Sequence, residues 1–141
     1  MKGLLVTHWT TFDQLQLTEV PPPALGPRDV RIRIQAAGVS FATSLVVQGK
    51  YQRKPPFPFV PGTEVAGIVV ETGAEARRFK TGDRVCAVLD WGGLAEETVA
   101  REVNVFGIPD TLEFARAIAF TNSYATSAAA LTTCDSVSSA A

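Results

Sequence analysis

The side chains that could carry nucleophilic or metal chemistry are few and badly spaced. There is one histidine, His8, next to Trp9, and there are two cysteines, Cys86 and Cys134. A single imidazole this close to the start, with no partner in sequence, reads as structural rather than as the base of a Ser/His/Asp relay. Two widely separated cysteines and a distant histidine do not meet the spacing of a zinc site, which gathers three or four N and S donors. Cys86 lies in an apolar run and reads as an inert buried thiol. Both Gly-rich loops that cradle phosphate, G-x-G-x-x-G and G-x-x-x-x-G-K-[ST], are absent.

The composition narrows the class further. The chain has 141 residues, 46% hydrophobic and 19% charged, with a formal net charge of -1. That length suits one domain, and the apolar fraction is too high for a disordered segment. Thirteen Lys+Arg against 14 Asp+Glu leave no positive excess to neutralise phosphates, so a nucleic-acid partner is not expected. No run of about 18 apolar residues is present, so no membrane partner is expected either. The apolar start, Met1 to Val6, is too short for a signal peptide. Two cysteines make no disulfide framework, and the expectation is a soluble cytoplasmic domain.

The elements that must position any site read as mainly β. Asp29 to Ala37 alternates Val30, Ile32, Ile34 and Ala36 with Arg31, Arg33 and Gln35, a period of two that buries one face. Further strands are predicted over Lys2 to Trp9, Leu15 to Val20, Glu64 to Thr72, Val85 to Leu89, Leu94 to Ala100 and Val103 to Ile108. Within the run after Glu64, Gly67 marks a close backbone approach. A short helix is predicted over Phe41 to Gln48, with Ser40 as N-cap and Gly49 just beyond its end. Four prolines make Tyr51 to Pro61 a loop. Asp110 and Glu113 have the spacing of a capping box ahead of a helix over Leu112 to Phe120. A second, Ala-rich helix is predicted over Ala125 to Leu131. Many short strands followed by helix point to a small barrel or sandwich with peripheral helices.

One ordered constellation goes beyond patterning. It comprises Ala36-Ala37-Gly38-Val39-Ser40, Gly49-Lys50-Tyr51-Gln52-Arg53-Lys54-Pro55, Phe59-Val60-Pro61-Gly62-Thr63-Glu64-Val65-Ala66-Gly67, Phe79-Lys80-Thr81-Gly82-Asp83-Arg84-Val85, and Gly92-Gly93-Leu94-Ala95-Glu96. In this order it resembles the N-terminal, GroES-like domain of the medium-chain dehydrogenase/reductase superfamily. The Gly-Lys-Tyr-Gln-Arg-Lys-Pro segment is most similar to the zinc-independent quinone oxidoreductases of the zeta-crystallin type. The resemblance covers about residues 1–131. It implies a mainly β GroES-like barrel with peripheral helices.

The departures from the superfamily are informative. Its zinc alcohol dehydrogenases carry a cysteine ligand where this chain has Ser40, and Gly-His-Glu where it has Gly62-Thr63-Glu64. Hydroxyls do not replace thiolate and imidazole as zinc ligands. The family's four-cysteine lobe would follow Val88, but only Leu89, Asp90 and Trp91 separate it from Gly92. No metal is therefore expected. The resemblance implies hydride delivery to an acceptor that is already electrophilic, a quinone or an α,β-unsaturated carbonyl, with NADPH as cofactor by family habit.

Site roles follow by position from the same resemblance. Ser40 takes the slot facing the nicotinamide, where quinone reductases often carry Asn, and Phe41 lies beside it. Tyr51 matches a cleft tyrosine whose phenol could bond the acceptor carbonyl; packing on a Pro-rich loop is the alternative role. Leu45 replaces the second cleft tyrosine. Tyr124-Ala125-Thr126-Ser127 resembles Tyr-Gly-Thr-Ala, whose Thr lies against the nicotinamide; a helix N-cap is the other role open to Thr126. The implied catalytic residues are thus Tyr51 and Ser40, and the implied cofactor contacts Ser40, Phe41, Tyr124 and Thr126.

After residue 131 the family's Rossmann domain should begin with a Gly-Glu turn, a strand and a Gly-rich loop. Residues 132–141 read instead as a small, polar, atypical tail without strand pattern. The expectation is a fragment, inactive alone and exposing apolar surface, from a parent reductase that works as a homodimer. A non-catalytic GroES-like binding or assembly module is the alternative.

Overall fold

The computed structural model describes residues 1–138, with side chains described as far as Thr132. Among the described residues seven strands form: β1 (Lys2–Leu4), β2 (Leu17–Glu19), β3 (Asp29–Ala37), β4 (Glu64–Thr72), β5 (Arg84–Val88), β6 (Glu97–Arg101) and β7 (Val105–Gly107). Five of them make an antiparallel sheet in the order β6-β3-β4-β5-β7, which curls into a half-barrel, and β1 pairs with β2 apart from it. Three helices are α1 (Phe41–Val47), α2 (Phe114–Ala119) and α3 (Ala125–Ser138). The mainly β fold with peripheral helices is the one the strand alternation implied.

The period of two in β3 does what it predicted. Val30 and Ile32 are fully buried and join Val65, Val69, Val85, Ala87 and Val105 in the main core. Burying a side chain of this size contributes about 1.5–3 kcal/mol. Between them on β3, Arg31 pairs in register with Glu71 of β4, its Nε 2.9 Å from the carboxylate, and Arg33 reaches Glu97 of β6 at 3.4 Å. The middle strands are covered on their second face too. There Ala66 of β4 and Cys86 of β5 pack against Ala117 of α2. Gly67 of β4 lies opposite Ile34 of β3, where a Cβ would collide with the Arg33 carbonyl of that neighbouring strand.

Cys86 is only 3% exposed, and burial pushes its thiol pKa up. Its thiolate is therefore scarcer at neutral pH than that of a free cysteine. Iodoacetamide at pH 7.5 is expected to leave the Cys86 peptide unmodified until the protein is denatured. Rapid alkylation of that peptide in the native protein, read by mass spectrometry, would contradict the buried placement.

Several boundaries differ from the sequence reading. The first strand stops at Leu4 rather than Trp9, after which Val6 makes an isolated bridge to Phe59. The second covers Leu17–Glu19 only, with all three residues exposed and a single 3-10 turn, Phe12–Gln14, before it. The predicted capping box does not form. Glu113 occupies the N-cap position without a side-chain cap, and Asp110 instead lies 3.8 Å from the Arg84 guanidinium.

The two predicted C-terminal helices are in fact one run. α2 passes through a wide π turn, Phe120–Tyr124, straight into α3, which extends to Ser138. No Gly or Pro lies between Phe114 and Ser138 to stop it. Thr126 is therefore inside a helix, not an N-cap, and the part of the polar tail from 132 to 138, which carries no strand pattern, continues that helix. Residues 139–141 of that tail lie outside the described residues.

Candidate functional site

The site starts where β3 ends. Gly38 N donates to the Glu64 carbonyl at 2.9 Å, which joins the end of β3 to the start of β4. A Cβ on Gly38 would lie 3.1 Å from both the Glu64 carboxylate and Ile118 of α2, so these three elements meet there. Two residues on, Ser40 leaves extended backbone and caps α1, its Oγ accepting from Thr43 N at 3.2 Å. The expected N-cap role is thus observed. Val47 at the other end of α1 anchors the helix in a buried cluster with Val6 and Phe59.

Ser40 retains chemistry beyond capping. Its Oγ lies 3.0 Å from the hydroxyl of Thr43, a residue only 2% exposed. When the buried Thr43 hydroxyl donates to Ser40, the Ser40 proton is released for an outside acceptor oxygen. Ser40 can then cap the helix and donate at once.

A second line of polar groups reaches the same corner from the helical run. Asn122 Nδ2 donates to Glu64 Oε1 at 2.8 Å, and Thr126 Oγ1 donates to Asn122 Oδ1 at 3.3 Å. Thr126 is thereby tied to the Glu64 corner, and through Gly38 to the segment that holds Ser40. Glu64, Asn122 and Thr43 were not picked out by sequence reasoning. The signals were there: a carboxylate opening an apolar strand, an i,i+4 pair at Asn122 and Thr126, and Thr three residues after Ser40.

The aromatic candidates present exposed faces. Phe41 is 78% exposed at the first turn of α1. Tyr124 stacks on Phe120 with ring centroids 4.9 Å apart, and both remain exposed. Tyr51 stands on the loop after α1, 40% exposed, and no hydrogen bond links its phenol to Ser40 or Thr126 among the described residues. Hydrogen bonds thus link Thr126 through Asn122 to Glu64, whose carbonyl holds Gly38 two residues before Ser40, while Tyr51 stands on a separate loop. Beside the helical run lies an apolar cavity of about 620 Å³ lined by Val88, Phe106, Ile108, Leu112, Phe120 and Ala125, among others. Among the described residues, no group of three or more His, Cys, Asp or Glu side chains could hold a metal ion, and no helix is long and apolar enough to cross a membrane.

Comparison with known proteins places this arrangement. Residues 26–110 match the alcohol dehydrogenase GroES-like domain. Quinone oxidoreductase-like protein 2 of Rattus norvegicus is 38% identical over 112 residues, covering 79% of this chain and 32% of its own length. The synaptic vesicle membrane protein VAT-1 homolog of Homo sapiens is 36% identical over 128 residues, covering 89% of this chain and 32% of its own. The crystal structure of the quinone oxidoreductase from Thermus thermophilus, also determined in complex with NADPH, superposes with a TM-score of 0.81 at 30% identity, over 96% of this chain and 41% of that one. The chain spans about a third of the length of these curated relatives. With its curled sheet, its capped α1 and its matched segment in agreement, the chain belongs to the alcohol dehydrogenase GroES-like domain family, on the quinone oxidoreductase side of the medium-chain dehydrogenase/reductase superfamily.

Proposed function

We propose that residues 1–131 are the acceptor-side domain of an NADPH-dependent reductase of quinones or α,β-unsaturated carbonyls, a cytoplasmic homodimer that works without zinc. The observation that carries this reading is Ser40, a hydroxyl at the start of α1 with a buried Thr43 behind it to supply its hydrogen bond. Hydroxyls at Ser40 and Thr63, where the zinc enzymes hold thiolate and imidazole, form a poor donor set for zinc and a good one for an acceptor oxygen.

The residues fit one end of the cofactor only. Exposed Phe41 and Tyr124 offer flat apolar faces to a nicotinamide ring, and Thr126 offers a hydroxyl beside them. Residues 1–141 hold no Gly-rich loop for the phosphates, so in this reading that part of the site falls to the Rossmann domain that the family resemblance implies for the parent reductase. When bound, NADPH supplies a hydride, and a quinone that takes up that hydride also needs a proton. Ser40 and Tyr51 are the hydroxyl donors offered to the acceptor's oxygen atoms, where negative charge grows, and solvent supplies the proton that completes the reduction. Phe41 and Tyr124 exclude water from the face at which hydride is delivered.

The test uses the full-length protein, NADPH and a panel of quinones and enones. Wild type is expected to oxidise NADPH with at least one class. Tyr51→Phe and Ser40→Ala are each expected to lower kcat/KM by about 10- to 100-fold, the cost of one oxyanion donor that solvent partly reaches. No oxidation with any acceptor would overturn the reading in favour of a non-catalytic binding or assembly module. Light scattering showing a monomer would overturn the homodimer.

A further inference from the structure

The loop that bears Tyr51 is closed at its neck by a distant part of the chain. Residues 6–10 run along both of its ends. At one end Val6 N donates to Phe59 O at 2.8 Å and Phe59 N to Val6 O at 3.1 Å. At the other, Thr10 N donates to Val47 O at 3.1 Å. Trp9 fills the space between. Its ring centroid is 4.5 Å from that of Phe57 and 6.4 Å from that of Phe59, on the outgoing side of the loop. On the incoming side it lies against Gly49: a Cβ there would be 2.6 Å from Trp9 Cδ2 and 2.9 Å from Cε2. Gly49 also has φ +68°, which favours glycine independently of space. Loop 49–57 thus places its one glycine where the indole must touch backbone.

The other restraint on the loop is weaker. Arg53 pairs with Asp90, but both side chains are more than half exposed, and exposed ion pairs are worth about 0–1 kcal/mol. The indole, 39% exposed, lays its inner face against Gly49 and Phe57 and is held there by several dispersion contacts at once. It also leaves the loop little freedom at its base, two residues from Tyr51.

We propose that Trp9 is the positioning residue of the acceptor cleft: its indole seats loop 49–57 and, through that loop, sets where the Tyr51 phenol stands. The seating concerns the loop alone; the effect on the acceptor rests on the role given to Tyr51 above. Trp9 touches no reacting atom in this scheme. Its loss should raise the acceptor KM and leave cofactor binding, which uses Phe41, Tyr124 and Thr126, unchanged.

Two measurements on the full-length protein test this, with Trp9→Ala and Trp9→Phe. Hydrogen exchange should quicken at least tenfold in Trp9→Ala across 49–54, including the amides of Gly49 and Lys50 that now donate to Val46 and Leu45. The amides of β3 and β4 should not change. With NADPH and 1,4-benzoquinone, the acceptor KM should rise at least fivefold, the NADPH KM should stay within twofold, and Trp9→Phe should recover most of the loss. Unchanged exchange over 49–54 overturns the seating. A loosened loop with an unchanged benzoquinone KM overturns the positioning role. A wild type that reduces no acceptor defeats the functional reading instead, while the exchange result still decides the seat. Should Trp9→Ala not fold, Trp9→Leu keeps the apolar bulk and loses the flat contacts, and the same pair of changes is expected at about threefold.

Discussion

Gly67→Val is expected to abolish folding of the domain, and Gly67→Ala to lower its stability by about 3 kcal/mol or more. Gly67 lies in the middle of β4, opposite Ile34 of β3, and a single added carbon would strike the Arg33 carbonyl and crowd Ile32. The obstacle is backbone in the neighbouring strand, not the end of a flexible side chain, so nothing can move aside without breaking the ladder between β3 and β4. Overpacking a core costs about 1–3 kcal/mol where side chains can adjust, and more where they cannot. Against a total stability of about 5–15 kcal/mol, the alanine variant is marginal and the valine variant is lost. For a chain of this size the alanine loss corresponds to a fall in Tm of roughly 10 °C. Gly107→Ala supplies the control. There a Cβ meets only Phe79 at 3.9 Å, an ordinary contact, and the change should stay within about 1 kcal/mol. Thermal unfolding of both variants checks the pair. Equal losses would mean that β3 and β4 are not packed as described.

A polypeptide of residues 1–141 is expected to bind NADPH with a Kd no better than about 1 mM, roughly 4 kcal/mol of binding. On the function proposed above, the contacts it can offer are a nicotinamide-facing set: Ser40, Phe41, Tyr124 and Thr126. These must offset several kcal/mol of lost ligand freedom. The phosphates carry most of the charge of NADPH, and no Gly-rich helix start in this sequence can take them. The same polypeptide leaves Val88, Phe106 and Phe120 exposed around an apolar cavity, and such surface promotes association. Titration calorimetry gives the first quantity and analytical ultracentrifugation the second. Micromolar binding would require a phosphate site built from residues that resemble no known loop of that kind.

Much of the architecture was readable from the order of residue types. In β3 the span agrees to the residue, because Val30, Ile32 and Ile34 alternate with Arg31, Arg33 and Gln35 as a strand with one face buried requires; in β4 it agrees too, there from an apolar run, Val65 to Val70, that is covered on both faces and ends before Gly73. Ser40 as the cap of α1 was equally plain, since a serine before an apolar run, closed by Gly49, leaves little choice. Short edge elements were harder. Between Lys2 and Trp9 the pattern reads as one strand, yet pairing stops at Leu4, because what continues the ladder is a partner strand, and β2 offers only three residues. Asp110 and Glu113 carried a capping signal, but the helix starts one turn later than that signal placed it, with Glu113 itself at the N-cap and Asp110 left exposed ahead of it.

The site divides along the same line. By itself the sequence determined the absence of thiolate and imidazole at Ser40 and Thr63, the lack of a phosphate loop, and the motif order that marks the family. Those properties depend on which atoms are present, and composition and spacing state them directly. Only the tertiary structure decided that Glu64, Asn122 and Thr126 form one hydrogen-bonded line beside Gly38, its first two members 58 positions apart. Only it decided that Trp9 meets Gly49 at the base of the Tyr51 loop. Such contacts follow from how β3, β4 and the helical run are folded together. Side chains far apart in sequence are brought within 3 Å by the burial of other residues, and no local pattern around Glu64 or Trp9 encodes the partner each will meet.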